Sequence, residues 1–362
     1  MPRLLSAIAA AVAAILIVSG CTDGAGGPPT GNSSTVTAGG SAAREPEPAG
    51  RVDGLALPWS TVFLPDGTAI ISERDSAELK SVQDGRISTL GKVPGVVPGG
   101  EGGLLGLALS PDFVSDRLLY TYFTGVNDNR IARLRLDRLS SGSVALGTPE
   151  VVFAGIPKAS THNGGRIRFG PDGDLYVGTG DAQRRDQPQD AKALGGKILR
   201  ITRDGKPAPG NPFAGSPVYS MGHRNVQGLA WDEEGRLWAS EFGPDVNDEL
   251  NLIQAGGNYG WPDVTGAPGR KGFIDAKVVW PATADSSPSG LEIVGHTAYL
   301  GALRGERLWA VSLDGENAGN PVSHFTGRFG RIRDVKLAPD GRLWMLTNGQ
   351  NPDFAVILAL PR

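Results

Sequence analysis

One short pattern recurs along the chain and limits its fold more than any other feature. "VFLPDGTAIIS", "LALSPDFVSDRLLYTY", "IRFGPDGDLYVGT", "LAWDEEGRLWAS" and "VKLAPDGRLWMLT" each set alternating apolar residues on both sides of a turn built on Pro-Asp-Gly or a variant. Period-two alternation, broken by a tight turn and then resumed, is the signature of an antiparallel hairpin. The turns fall near Asp66, Asp112, Asp172, Glu234 and Asp340, and a weaker sixth copy, "TAYLGALRGERLWAVSLDG", places its turn near Gly305. Six units spaced very roughly fifty residues apart, with 53 glycines and almost no helical periodicity, predict an all-β chain. The architecture expected is a six-bladed β-propeller of four-stranded antiparallel blades. A large β-sandwich is the alternative, but it does not require one motif six times over.

The ends of the chain carry different information. Residues 1–20 join a basic residue, Arg3, to an apolar run that closes on small residues, and read as an export signal. Val18-Ser19-Gly20 directly before Cys21, the only cysteine, resembles a bacterial lipobox. The expectation is cleavage before Cys21, lipidation of the new N-terminus, and a lipid anchor on the outer face of the cytoplasmic membrane. No later segment approaches the roughly 20 apolar residues of a spanning helix. A lone cysteine excludes an intrachain disulfide framework, so stability must come from packing or metals. Residues 21–50, rich in Gly, Ser, Thr, Ala and Pro, read as a disordered tether after the lipidated cysteine, and residues 51–362 as one domain. Charge is nearly balanced, with 35 basic against 38 acidic residues, which gives no footprint for nucleic acid and points to a small-molecule partner.

In a propeller the segments that lead into the innermost strand of each blade converge at one end of the central channel. Four of them are polar here: "GGEGG", "STHNGG", "GHRN" and "GRFGRIRD". Any one alone reads as turn residues; four together favour a site. His162 is one of only four histidines, beside His223, His296 and His324. An imidazole, with an unperturbed pKa near 6.5, suits a proton acceptor at near-neutral pH. No Cys or His pair stands at zinc-ligand spacing.

Across nearly the whole domain the chain resembles the soluble pyrroloquinoline quinone (PQQ)-dependent glucose and aldose sugar dehydrogenases, the glucose/sorbosone dehydrogenase family. The resemblance rests on residues 101–113 ("EGGLLGLALSPDF"), 162–181, 222–231 ("GHRNVQGLAW"), 243–262 ("GPDVNDELNLIQAGGNYGWP") and 330–341. It implies a six-bladed propeller, the cofactors PQQ and calcium, an aldose substrate, and electrons passed to a membrane quinone or a soluble acceptor. His162 matches the general base that takes the anomeric hydroxyl proton while hydride passes to PQQ. Asp181 matches the acid that orients it; a turn-capping aspartate is the alternative. Arg224 and Asn225 match residues that polarise the quinone carbonyl. PQQ is a planar tricarboxylate, and Arg331 and Arg333, two apart on a strand, would point one way and grip carboxylates; a surface strand with two solvated arginines is the alternative. Glu101 and Arg304 match cofactor-contacting positions usually held by Gln and Lys, and Phe242 stands where a polar residue is usual. For calcium, Gly243 and Pro244 match backbone ligands of one ion, and Glu249 and the Tyr259 backbone match a second, structural site. A non-catalytic sugar- or protein-binding propeller and a calcium-dependent lactonase-type hydrolase remain as other readings of the same fold.

Overall fold

The computed structural model describes residues 44–138 and 144–361. The signal, Cys21 and most of the tether lie outside the described residues. The strands sort into six antiparallel sheets, two of which carry an additional short strand at the margin. Numbering blades along the chain, the inner strands are Pro58–Phe63, Leu104–Leu109, Ile167–Phe169, Val226–Trp231, Pro288–Val294 and Ile332–Leu337. Each inner strand contacts the next, and the sixth contacts the first, so the ring is closed. This is the six-bladed propeller that the repeats predict. The only helix among the described residues is one turn, Phe113–Asp116.

The apolar half of each alternating strand is spent between blades. Six buried clusters each span neighbouring blades: Leu104 and Val62, for example, pack blade 2 on blade 1, and Ile332 with Tyr299 packs blade 6 on blade 5. The turn motif has a local cause. Asp172 Oδ1 accepts the Asp174 N–H at 3.1 Å while Gly173 takes φ 80°, a conformation disfavoured for residues with a β-carbon. Asp66 and Asp340 accept the N–H of Thr68 and Arg342 in the same way, each at 3.0 Å.

Two boundaries differ from expectation. In blade 5 the inner hairpin joins Pro288–Val294 to Thr297–Ala302 through Gly295 and His296; the turn near Gly305 instead joins the second and third strands. The sixth repeat is therefore one strand out of step, because a two-residue loop needs no Pro-Asp-Gly. At the N-terminus, the strand Glu47–Leu55 pairs with Asp353–Ala359 as the outermost strand of blade 6, so the propeller takes in part of the stretch read as tether.

Candidate functional site

In an antiparallel blade the start of the first strand, the end of the second and the start of the third share one edge. Glu101, His162, Arg224 and Arg331 precede the inner strands of blades 2, 3, 4 and 6, while Asp181, Gly243, Pro244 and Arg304 follow second strands. Topology thus brings them to one end of the channel.

His162 adopts φ 57°, left-handed backbone that costs a side-chain-bearing residue on the order of 1–3 kcal/mol and persists only where neighbours impose it. Its N–H donates to Glu101 Oε2 at 2.7 Å and its carbonyl accepts from Ala182 N–H at 3.1 Å. Gly180 passes so close that a β-carbon there would lie 1.8 Å from the His162 carbonyl oxygen. The posture sets Nδ1 at 2.8 Å from Asp181 Oδ1. Asp181 also accepts the Gln183 N–H on Oδ1 and the Trp261 indole N–H on Oδ2, each at 2.8 Å. Burial raises the Asp181 pKa, but the bonds from His162 and Trp261 outweigh it and hold the carboxyl below its usual range. An ionised acceptor keeps the proton on Nδ1 and leaves Nε2 free to accept one. The His162 side chain is 19% exposed and that of Asp181 1%, so the ring reaches solvent and its partner is sealed beneath it.

Beside this pair stand buried donors with no acceptor. Arg224 donates its N–H to Glu241 and its Nη1 to the Phe242 carbonyl at 3.3 Å, but its Nε is unpartnered. Burial lowers the Arg224 pKa, against the pull of Asp181, Glu241 and Glu101. Asn225 accepts the Gly164 N–H at 2.9 Å and its Nδ2 has no partner. Arg333 Nη1 donates to Gln227 Oε1 at 2.9 Å and Ser289 Oγ at 3.3 Å, and its Nε is unpartnered. Burial, reinforced by the charge of Arg74, pushes the Arg333 guanidinium down to about 9 although Glu101 pulls the other way. Buried donors left unmade are costly, and cationic ones more so. The site calls for an anion.

Arg331 lies just ahead of its strand, and a bulge separates Ile332 from Asp334, so simple alternation does not place the two arginines on one face. They nonetheless share Arg74 and Glu101 as charged neighbours. Arg304 is exposed and donates to Thr283 Oγ1 at 3.1 Å. Gly243, Pro244, Glu249 and Tyr259 line one small cavity together with Arg224 and Glu241. Glu249 lies directly across from Glu241 on the neighbouring strand, and burial followed by the Glu241 charge pushes its pKa up to about 8. Its oxygens accept Gly266 N–H at 2.5 Å and Asn251 Nδ2 at 2.9 Å, while the buried Asn251 Oδ1 has no donor. Among the described residues no group of three or more His, Cys, Asp or Glu side chains converges, so a cation here would need backbone oxygens as well.

The glucose / sorbosone dehydrogenase family model matches residues 55–356. The chain is 34% identical over 327 residues to the aldose sugar dehydrogenase YliI of Escherichia coli (strain K12), covering 82% of this chain and 88% of that protein. The chain belongs to the glucose/sorbosone dehydrogenase family. Among solved structures, the PQQ-bound aldose sugar dehydrogenase of Streptomyces coelicolor is 48% identical with a TM-score of 0.82, over 86% of this chain and 99% of that one. The soluble aldose sugar dehydrogenase of Escherichia coli in its apo-form is 30% identical with a TM-score of 0.78, over 86% and 98%.

Within this family member, sequence reasoning missed four site residues. Trp261 sits in "NYGWP" and its only polar side-chain atom reaches Asp181, 80 residues away. Glu241 anchors the Arg224 backbone and bonds His223 Nδ1 at 2.8 Å. His223 itself is fully buried, bonded to Ser220 Oγ at 2.8 Å and stacked on Tyr259 at 4.7 Å. Gln227 supplies the acceptor for Arg333. The phenylalanine at 242 matters less than its side chain suggests, because its carbonyl meets Arg224.

Proposed function

We propose that this family member is a PQQ- and calcium-dependent dehydrogenase that oxidises an aldose at its anomeric carbon to the lactone. The observation that carries the reading is the His162–Asp181 pair, 2.8 Å apart, set beside the unpartnered donors of Arg224, Asn225 and Arg333. Those donors fit a tricarboxylate: Arg331 and Arg333 would hold carboxylates of the cofactor, with Glu101 and Arg304 at the rim. When bound, PQQ supplies the hydride acceptor. His162 Nε2 takes the proton of the anomeric hydroxyl, and the ionised Asp181 stabilises the resulting imidazolium. Arg224 and Asn225 direct fixed donors at the group that gains charge. The opposed Glu249 and Glu241 carboxylates and the orphaned Asn251 oxygen fit a structural cation with the Tyr259 backbone as a further ligand, and the Gly243 and Pro244 backbone, on the same cavity, would hold a second ion.

Electrons leave for a membrane quinone or a soluble acceptor. No described helix is long and apolar enough to cross a membrane. The "VSGC" segment supports a lipid anchor at Cys21 on the outer face of the cytoplasmic membrane, and Cys21→Ala should move the protein out of the membrane fraction.

The deciding experiment reconstitutes purified apoprotein with PQQ and calcium, then follows quinone absorbance and dye reduction over a panel of aldoses. His162→Asn should cut sugar-driven reduction by roughly 10² or more and leave PQQ binding within several-fold. Unchanged turnover per PQQ-loaded molecule would remove His162 from the chemistry.

A further inference from the structure

Trp261 is 6% exposed and uses both its edge and its faces. The edge donates Nε1–H to Asp181 Oδ2 at 2.8 Å, the oxygen that His162 does not use. Arg224 lies 5.5 Å from the ring centroid and Arg185 lies 4.6 Å from it. One indole therefore touches the carboxylate behind His162 and the cation whose Nε is left without an acceptor. A carboxylate held at one oxygen only can rotate about its Cβ–Cγ bond. With Oδ1 taking His162 and Gln183 and Oδ2 taking Trp261, Asp181 has no such freedom.

We propose that Trp261 is a positioning residue: its indole N–H locks the Asp181 carboxylate in the rotamer that holds His162 Nδ1, and its ring seats the Arg224 guanidinium beside it. The proposal rests on the reading of His162 as the base. Acid–base and electrostatic parts of the site are then aligned by one side chain from a loop of blade 4, rather than independently by blades 3 and 4. The titratable groups facing Asp181 are the His162 imidazole and the Arg224 guanidinium, and Glu101 reaches the same histidine through its backbone.

Trp261→Phe keeps a ring over Arg224 and deletes the donor; Trp261→His is smaller but returns an N–H. Turnover of PQQ-loaded Trp261→Phe should fall about tenfold, the scale of a lost bond to a charged group, with PQQ affinity within twofold. Trp261→His should recover part of the turnover. A second readout needs no cofactor. In ¹⁵N-histidine-labelled apoprotein, the downfield Nδ1–H resonance of His162, assigned by its loss in His162→Asn, should be sharp in the native chain, broadened or absent in Trp261→Phe and regained in Trp261→His. A folded Trp261→Phe with native turnover and a native Nδ1–H resonance would overturn the proposal. Should the Phe variant fail to fold, Trp261→Leu takes its place: loss of the resonance from the folded protein supports the lock, and its retention refutes it. A His162→Asn variant that still turns over would instead defeat the catalytic reading and leave the resonance test standing.

Discussion

Glu101 Oε2 accepts the backbone N–H of His162 at 2.7 Å, so residue 101 holds the proposed base by its main chain. The same carboxylate faces Arg331 and Arg333, whose charged forms it favours. Position and charge can be separated by substitution. Glu101→Gln keeps an acceptor oxygen and removes a negative charge near the place for a tricarboxylate. PQQ affinity should rise by about 1 kcal/mol, a partly screened charge pair, with the melting temperature unchanged. Glu101→Ala should instead destabilise the fold by about 1–2 kcal/mol, because the N–H of a strained residue loses its partner. Quinone titration and thermal melts read the two outcomes.

The two arginines should behave differently. Arg333 is buried and bonded to Gln227 and Ser289, so Arg333→Ala should lower both PQQ affinity and the melting temperature. Arg331 is only half-buried, and Arg331→Ala should weaken PQQ binding by about 1.5–3 kcal/mol while leaving the apoprotein melt near native. Saturating PQQ should restore much of the rate in both.

Calcium should raise the melting temperature by mass action on the folded state, and a chelator should lower it. Glu249→Gln keeps an acceptor for the Gly266 N–H, gives up the one for Asn251 Nδ2 and cannot ionise to meet a cation, so it should blunt the calcium response without abolishing folding. A melt indifferent to chelator would argue against the cavity beside Gly243 as a cation site.

Lys197 is fully buried and donates to the carbonyls of Gln187, Pro188 and Gly195 at 2.7, 3.0 and 2.8 Å. Burial pushes its pKa down to about 7, with Asp190 pulling upward. Between that value and about 10.4 the unfolded chain binds more protons than the folded one, so this residue makes stability rise with pH across that window. Below about 7 its penalty is fully present. Relative to Lys197→Met, native stability measured in denaturant should therefore improve from pH 7 to 10. A constant difference would show that the three carbonyls keep the ammonium fully charged.

How much of this was legible depended on whether the cause was local. The Asp172 and Gly173 turn is written within four residues, and five inner hairpins could be read from such turns. The blade 5 hairpin turns on Gly295 and His296, which carry no such mark, so its third strand reads as its second. His162 and Asp181 flank the inner hairpin of blade 3, so their pairing follows from the strand ends. Trp261 reaches from a loop of blade 4 to Asp181 of blade 3, and no spacing encodes that contact. The bulge that separates Arg331 from Arg333 is likewise invisible to a period-two count.

The first described strand and the last share a sheet, and Leu57 N–H donates to Asp353 Oδ2 at 3.0 Å across 296 residues. The blade that seals the ring can thus be completed only after the C-terminus has been synthesised and, for an exported chain, translocated. Closing so long a loop adds little to the entropic cost, which grows only logarithmically with length, but such distant contacts form late. Until then the inner strand Ile332–Leu337, which carries Arg333, lacks a finished sheet at its back. A clipped or tagged end of either terminus should therefore be felt as a loosened grip on the cofactor before it is felt as a lost fold.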